Sequence, residues 1–587
     1  MQDKTIIKDM LDDVRSRMLA LRGGDGMWRG ALSSSAISTS VSVFALYLID
    51  SQKYQHEIES GTRWLLQTMK EDGSWGDSVE SPSNMTATLL TYTSLRGIGK
   101  APEKSMQWLE QRLGGRSEEK IIRGVLDYYG KDFTFSVPIL TMCALSGIIG
   151  DMKRIPLFPF ELAVLPQRFF RFLNLPVVSY AIPALIAIGI LQLRMNHGRK
   201  SLTARLREPF VKKTLRKLVV LQPEDGGFLE AAPLTGFCSM CLCAAGYRDH
   251  LVTQRSAAFL VNTQREDGAW PIDTDLASWV TSLAGNALGD DLADREALAD
   301  IIKGNATKDV HPFTGAAAGG WGWTDLTGSV PDGDDTSGAL VALHTLTHGQ
   351  YCQEVGNGLE WLMKLQNNDG GMPTFCKGWG KLPFDRSSPD ITAHALLAVG
   401  LWLPVLNGEL KIRCASSYER MMRWLESQHS DKGYWIPLWF GDQDARDEKS
   451  PVYGTATLMD YLNRLHDERA RRLATLGLEF LLSAQNHDGG WSGNVPAMNV
   501  TAADGGSASK VTLTAKALTA LSYYENPEAR AAMEKGMDFL CRKWQDGRLY
   551  DREPIGLYFA RLWYSEEMYN LCYLMLCLKR MLESDDR

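Results

Sequence analysis

Three carboxylates fall within four residues in the stretch Asp332-Gly333-Asp334-Asp335-Thr336, after Gly319-Gly-Trp-Gly-Trp323 and before the apolar run Ala339 to Leu346. Acids at a helix start cap backbone N–H groups and suit the positive end of the dipole, so one reading of the cluster is a capping turn. The other reading is acid catalysis. Carboxylates crowded into a dry pocket cannot all ionise, so one keeps its proton at neutral pH, and a cationic hydrogen-bond partner would sharpen that proton. An ordinary carboxylic acid has a pKa of about 3.9, and a crowded group such as this must titrate as a coupled set.

The elements that would position these acids announce themselves as a repeat. An apolar helical run ends in Gln, two or three polar residues, Asp-Gly and usually an aromatic: Gln67 to Trp75, Gln222 to Phe228, Gln264 to Trp270 and Gln485 to Trp491. Worn copies lie at Asp25-Gly-Met-Trp28, Gln366 to Met372, Gln428 to Trp435 and Gln545-Asp-Gly547. Asp caps, Gly supplies positive φ, and the Gln amide and the aromatic are expected to tie adjacent helix pairs together. Strand signals are few, so the fold is expected to be all-α. The unequal spacing of the copies argues for helix pairs closed into rings, and 587 residues suit two such rings.

Composition narrows the partners. A net charge of −7 with no long basic run argues against nucleic acid. The ten cysteines are scattered, and Cys238-Ser-Met-Cys241 sits among apolar residues that suit a helix face better than a redox loop. Met1 to Leu21 mixes charged and apolar residues at helical spacing and does not read as a signal peptide. Phe172 to Leu193 is uncharged and reaches membrane length, but Pro176 and Pro183 interrupt it. It reads as a span, a buried helix, or, with the apolar segment that begins at Ile155, a segment dipping into one leaflet.

The repeat copies, the Asp-Gly-Asp-Asp-Thr stretch and their order resemble the squalene-hopene cyclase branch of the class II terpene cyclases, from about Asp25 to Arg580. The resemblance implies two α/α barrels, one inserted in the sequence of the other, around an apolar cavity. It divides the chain into an N-terminal helix, 1–21, packing on the C-terminal barrel; an inserted barrel, 22–276, with a membrane-facing segment at 155–193; and a catalytic barrel, 277–587. It implies protonation of a terminal alkene of a squalene-like polyprenoid and cyclisation through carbocations, with no cofactor and no metal. The expected setting is the cytoplasmic side of the inner membrane, in peripheral contact with one leaflet; a homodimer is compatible with it.

Residue by residue, the resemblance makes Asp334 the proton donor, flanked by Asp332 and Asp335, with His394 of Ser388-Pro-Asp-Ile-Thr-Ala-His394 as its partner and Asp390 as a supporting acid. Aromatic faces stabilise cations without offering a nucleophile. Trp279, Trp323, Phe375 and Trp439 match cavity-lining positions, Tyr453 matches a further one, and Tyr558, Phe559, Trp563 and Tyr569 fall where later cations are faced. The chain departs from the family where Val280 follows Trp279, where Leu438 precedes Trp439, and where the early helices carry Ala36 to Ser40 and Ala87 to Leu90 in place of glutamates. Those departures leave substrate length and the final quenching step open.

Three alternatives remain at this level. Asp290-Asp-Leu-Ala-Asp294 matches D-D-x-x-D, which binds magnesium and diphosphate in ionisation-type synthases, although a solvated turn fits it as well. The substrate could instead be a prenyl diphosphate or a prenylated aromatic. A non-catalytic helical toroid that binds lipid would be indifferent to the acid cluster. A prenyltransferase-like zinc site would need a D-x-C element, which the sequence lacks.

Overall fold

Each Asp-Gly turn is fastened by the same set of bonds. At the copy ending in Trp491, the Gln485 amide donates to the carbonyls of Gly489 and Ala532, both at 2.8 Å, and so joins its own turn to the next outer helix. Gln222, Gln264 and Gln366 do the same, to Gly226 and Val252, Gly268 and Glu57, and Gly370 and Ser417. Asp488 accepts from the Gly490 N–H at 3.0 Å, and Gly489 turns the chain at φ 89°, where a side chain would be strained. The indole does more than stack. Trp491 Nε1 donates to the Leu481 carbonyl ten residues earlier at 2.8 Å, as Trp75 does to Leu65 and Trp270 to Leu260.

A threonine completes the unit. The backbone N–H of Trp75, Phe228, Trp270, Trp321, Trp435 and Trp491 is bonded to Thr88, Thr235, Thr39, Thr336, Thr455 and Thr514 near the start of an inner helix. The Ala, Leu and Thr content of those helices is thereby explained: the small and apolar residues pack on both sides and the hydroxyl receives a buried donor.

The computed structural model describes residues 4–130, 133–165, 182–196, 202–312, 315–375, 385–445, 447–494, 508–558 and 562–584. In its C-terminal part the helices Ala277–Leu288, Gly333–Thr347, Pro389–Trp402, Pro451–Asn463, Val511–Leu521 and Glu567–Ser584 pack each against the next, and the last returns to the first, closing a ring. An outer layer covers it: Arg295–Gly304, Gln353–Leu365, Gly408–Glu426, Glu468–Thr475, Leu478–Ser483, Pro527–Gln545 and, from the other end of the chain, Lys4–Ala20. Lys4–Ala20 buries Ile7, Met10, Leu11, Val14 and Met18, and packs on Glu567–Ser584. Trp28 belongs to the same barrel, since its N–H bonds Thr281 at 3.0 Å.

The intervening residues close another ring, the first barrel in chain order, from Ala36–Asp50, Met85–Gly97, Phe133–Leu145, Ile182–Asn196 and Ala232–Leu242, covered by Gln55–Gln67, Glu103–Leu113, Glu118–Tyr129, Leu202–Leu221 and Leu251–Asn262; the C-terminal ring is the second. Ile182–Asn196 is a wall of this barrel. Residues 182–193 of the stretch expected to face a leaflet are thus turned to the core, all but Leu185 being buried. Phe172 and the rest of 166–181 lie outside the described residues. Among those described, no helix is long and apolar enough to cross a membrane. Apolar side chains are nevertheless exposed nearby, at Phe133, Leu157, Leu162, Met195 and Leu206.

The barrels meet along a short antiparallel hairpin, Gly556–Tyr558 paired with Leu562–Tyr564. Asp77 of the first barrel accepts the Trp563 N–H at 2.9 Å, Ser33 and Ser565 are doubly bonded, and the buried Glu230 accepts the Gly328 N–H at 2.7 Å. That last bond ties the first barrel to the loop that leads into Asp332.

Candidate active site

Asp332 is the N-cap of Gly333–Thr347, and its Oδ1 accepts the N–H groups of Asp334 and Asp335, both at 2.8 Å. The capping reading and the acid reading are therefore both satisfied, by different residues of one turn. Asp332 and Asp335 are buried together. Burial raises the Asp332 carboxyl to about 7, while burial and the neighbouring Asp332 charge hold Asp335 well above the usual range, so Asp335 keeps its proton and donates it to Asp332.

Asp334 points the other way. Its Oδ1 meets His394 Nδ1 at 2.6 Å; 27 % of its side chain stays exposed, against 4 % for the histidine. The imidazole is clamped by Tyr461, stacked at 4.6 Å and 18°, and by Trp279, edge-on at 6.1 Å. Gly338 makes room for this, because a Cβ there would stand 2.8 Å from the Trp279 ring and 3.5 Å from His394. Asp390 is buried one turn before His394, is raised to about 6 by burial, and takes a hydrogen bond from Ser388, whose hydroxyl in turn accepts the Leu438 N–H at 3.2 Å.

In front of the acids is a cavity of about 480 Å³ lined by Asp332, Asp334 and Asp335, by Trp279, Trp323, Phe375, Trp439, Phe440, Tyr564 and Tyr569, and by Leu276, Thr374 and Ile391. Phe375 sits edge-on to Trp323 at 6.1 Å and to Trp439 at 5.5 Å, so three rings expose faces and edges to one space. A larger apolar cavity, about 850 Å³, lies in the first barrel between Ile37, Leu90, Phe135, Ala184, Leu234 and Phe237. Leu562 reaches it and Tyr564 reaches the acid cavity, from the same face of the hairpin strand. No lysine or arginine is among the described residues lining either cavity. Such an arrangement can deliver a proton into a dry space walled by π faces and can hold an extended apolar chain.

Of the expected residues, Trp279, Trp323, Phe375, Trp439 and Tyr569 line the acid cavity. Trp563 and Tyr453 do not. The Trp563 ring packs over Gly441, because alternation along the strand gives the inward position to Tyr564. Tyr453 packs on Phe440, with ring centroids 4.9 Å apart, and lies behind the lining. Phe559 lies outside the described residues, as does the side chain of Tyr558. Phe440, Tyr564 and the His394 partner Tyr461 were missed by the sequence reading. Tyr461 was accessible in principle, since Tyr453, Thr457, Tyr461 and Arg464 form a polar stripe at helical spacing.

Two further stretches resolve as structural. Asp290, Asp291 and Asp294 spread into ion pairs with Arg295, Lys579 and Arg22 at 2.6, 3.0 and 2.8 Å, and among the described residues no group of His, Cys, Asp and Glu could hold a metal ion. Cys238 and Cys241 are buried free thiols on Ala232–Leu242, and burial pushes both thiols up.

Comparison with known proteins agrees with this architecture. Family models described as the squalene-hopene cyclase C-terminal and N-terminal domains match residues 308–583 and 11–111. Enfumafungin synthase of Hormonema carpetanum is 24 % identical over 93 % of this chain and 47 % of its own length, and a probable squalene–hopene cyclase of Sinorhizobium fredii is 22 % identical over 83 % of each chain. The chain spans about half the length of the first curated relatives it matches. Among solved structures, ent-copalyl diphosphate synthase from Streptomyces platensis superposes with a TM-score of 0.56 at 16 % identity, covering 98 % of this chain and 99 % of that one.

Proposed function

The chain belongs to the squalene-hopene cyclase family, and from that premise we propose that it protonates a terminal alkene of a linear, uncharged polyprenoid such as squalene and cyclises it through carbocations. The observation that carries this reading is the 2.6 Å contact of Asp334 with His394 at the wall of a cavity lined by aromatic rings. With Nδ1–H of His394 donating to one oxygen of Asp334, the other oxygen carries the proton that goes to the alkene. Asp332 holds Asp334 by its backbone, Asp335 keeps a second negative charge out of the turn, and Asp390 is a buried neighbour of the histidine. Trp279, Trp323, Phe375, Trp439 and Tyr569 then face the cations; Tyr453, Tyr558, Phe559 and Trp563 are assigned no such role.

A hydrocarbon substrate is favoured over a prenyl diphosphate because, among the described residues, neither cavity lining supplies a basic side chain to meet a diphosphate. The curated relatives named for squalene support the same class. Chemistry is assigned to the barrel 277–587, braced by residues 1–21, with 22–276 supplying the far end of the substrate space. We assign contact with one leaflet to the exposed apolar side chains around Leu157, Leu162 and Leu206, which support a peripheral attachment; the setting we propose is the cytoplasmic face of the inner membrane. The test is incubation of the purified chain with squalene and mass spectrometry of the products. Polycyclic product that persists in Asp334→Asn overturns the assignment of the donor, and no cyclised product from squalene or geranylgeraniol overturns the reading as a whole.

A further inference from the structure

One charge in the second barrel has no part in the chemistry above. Lys516 is the sole charged residue of the inner helix Val511–Leu521. Its ammonium donates to Thr457 Oγ1 at 3.0 Å and lies 4.0 Å above the ring of Tyr573 and 4.5 Å above that of Tyr453; among the described residues it makes no salt bridge. It faces a third cavity, about 430 Å³, with Asn286, Asp460, Tyr461, Arg464 and Tyr573 on its walls. The acid cavity lies at the N-terminal ends of inner helices, whereas this one lies farther along them, with Asn286 and Asp460 near the C-terminal ends of Ala277–Leu288 and Pro451–Asn463 and Lys516 at the middle of its own helix. Tyr461 is the partition: it faces this cavity and stacks on His394.

We propose that Lys516 is a positioning residue for the acid, its ammonium stabilising the carboxylate that Asp334 becomes once its proton has gone to the alkene. The inference rests on the proposed cyclase reading. In that step the alkene π pair forms the new C–H bond, the O–H pair stays on Asp334, and a tertiary cation is left in the aromatic cavity. One negative charge is created beside His394, and a cation behind the Tyr461 stack lowers the cost of creating it. The same geometry accounts for Tyr453: its ring face is given to the lysine, so it is not offered to a carbocation.

The groups that face Lys516 are Tyr453, Asp460, Tyr461 and Arg464 from or just beyond Pro451–Asn463, Tyr573 from Glu567–Ser584, and Asn286 from Ala277–Leu288. Tyr523, beyond the end of its own helix, bonds Asp460 at 2.9 Å and accepts from Arg580 at 2.7 Å. Burial pulls the lysine down to about 8, against the opposing pull of Asp460, Asp334 and Asp390. The charge is therefore present below about pH 8 and lost above it.

Initial rates with squalene, from pH 5 to 9.5, test this on the full chain with wild type, Lys516→Arg, Lys516→Met and Asp334→Asn. The wild type is expected to lose rate on an alkaline limb near pH 8. Lys516→Met should be slower at pH 6.5 by on the order of tenfold, the effect of one charge through a protein-like dielectric, and should lack that limb. Lys516→Arg should keep the rate and carry it to higher pH. An unchanged alkaline limb in both lysine variants, with Asp334→Asn inactive, overturns the role of Lys516 and leaves the cyclase reading standing; product from Asp334→Asn overturns both. The ¹⁵N chemical shifts of labelled His394 at pH 6.5 give a readout free of turnover. They should move in Lys516→Met and hold in Lys516→Arg, and identical shifts in all three proteins overturn the inference.

Discussion

His394 Nδ1 and Asp334 Oδ1 stand 2.6 Å apart, and the imidazole is held at that distance by Tyr461 on its face and Trp279 on its edge. The histidine has little freedom to turn away, so the pair acts as a unit and removal of either member should remove most of the activity. Asp334→Asn and His394→Ala are each expected to lower product formation by roughly 10²–10⁴-fold, and the double variant by little more than the worse single one. Rates of squalene consumption in the three proteins check this; additive losses would show two independent groups.

Asp332 has a structural duty that can be separated from its charge. Its Oδ1 accepts two N–H groups, which an asparagine can also do and an alanine cannot. Asp332→Ala should lower stability by about 1–2 kcal/mol, while Asp332→Asn should stay much nearer to wild type. Urea unfolding midpoints distinguish them, and equal losses would mean that the cap bonds are unimportant.

The rings around Phe375 should govern where the cation goes. Trp323 and Trp439 each meet Phe375 edge-on, so replacing either by leucine keeps the cavity apolar but removes a π face. A desolvated cation–π contact is worth about 2 kcal/mol, or roughly thirtyfold in rate, and its loss should also release products with fewer rings. Chromatography with mass spectrometry checks both. An unaltered product spectrum at unaltered rate would place the cation elsewhere.

Glu230 makes stability depend on pH. Its carboxyl accepts the Gly328 N–H, and burial raises its pKa to about 9. A raised folded pKa means that the folded state holds the proton more tightly, so this stabilisation is complete below about pH 4 and is lost as pH rises through 9. Asp77, at about 7, and Glu566, at about 8, act in the same direction. Thermal midpoints should fall between pH 5 and 9, and fall less in Glu230→Gln, which keeps an acceptor for Gly328 and has no proton to lose. Parallel profiles for the two proteins would contradict it.

The repeat aromatics are fasteners, and their loss should be felt globally. Trp491 is fully buried and its indole N–H bonds the Leu481 carbonyl, so Trp491→Ala should cost roughly 3–5 kcal/mol. Chemical denaturation measures it, and a cost below about 1 kcal/mol would deny the repeat its structural role.

Much of this protein was legible in its residues. The Gln, Asp-Gly and aromatic of each copy report bonds that close within a few residues or to the adjacent helix, as with Gln485 and Gly489, and local bonds leave local patterns. The acid turn was legible for the same reason, since Asp332, Asp334 and Asp335 sit in one helix start where capping rules fix their directions. The stretch 172–193 left a span, a buried helix and a leaflet segment open, because a helix buried on all sides inside a ring has the composition of one buried in lipid; residues 182–193 are such a buried helix.

Sequence alone determined the repeat-built helical fold, the acid turn and, through the family resemblance, the pairing of Asp334 with His394. Tertiary structure decided which aromatics face the acid: Phe440 and Tyr564 in place of Tyr453 and Trp563, with Lys516 behind them. The physical reason is that the cavity is assembled from the starts of four inner helices, the loops between them and one hairpin strand. A one-residue change in register there turns a ring from the cavity to the wall, and no local pattern records that choice.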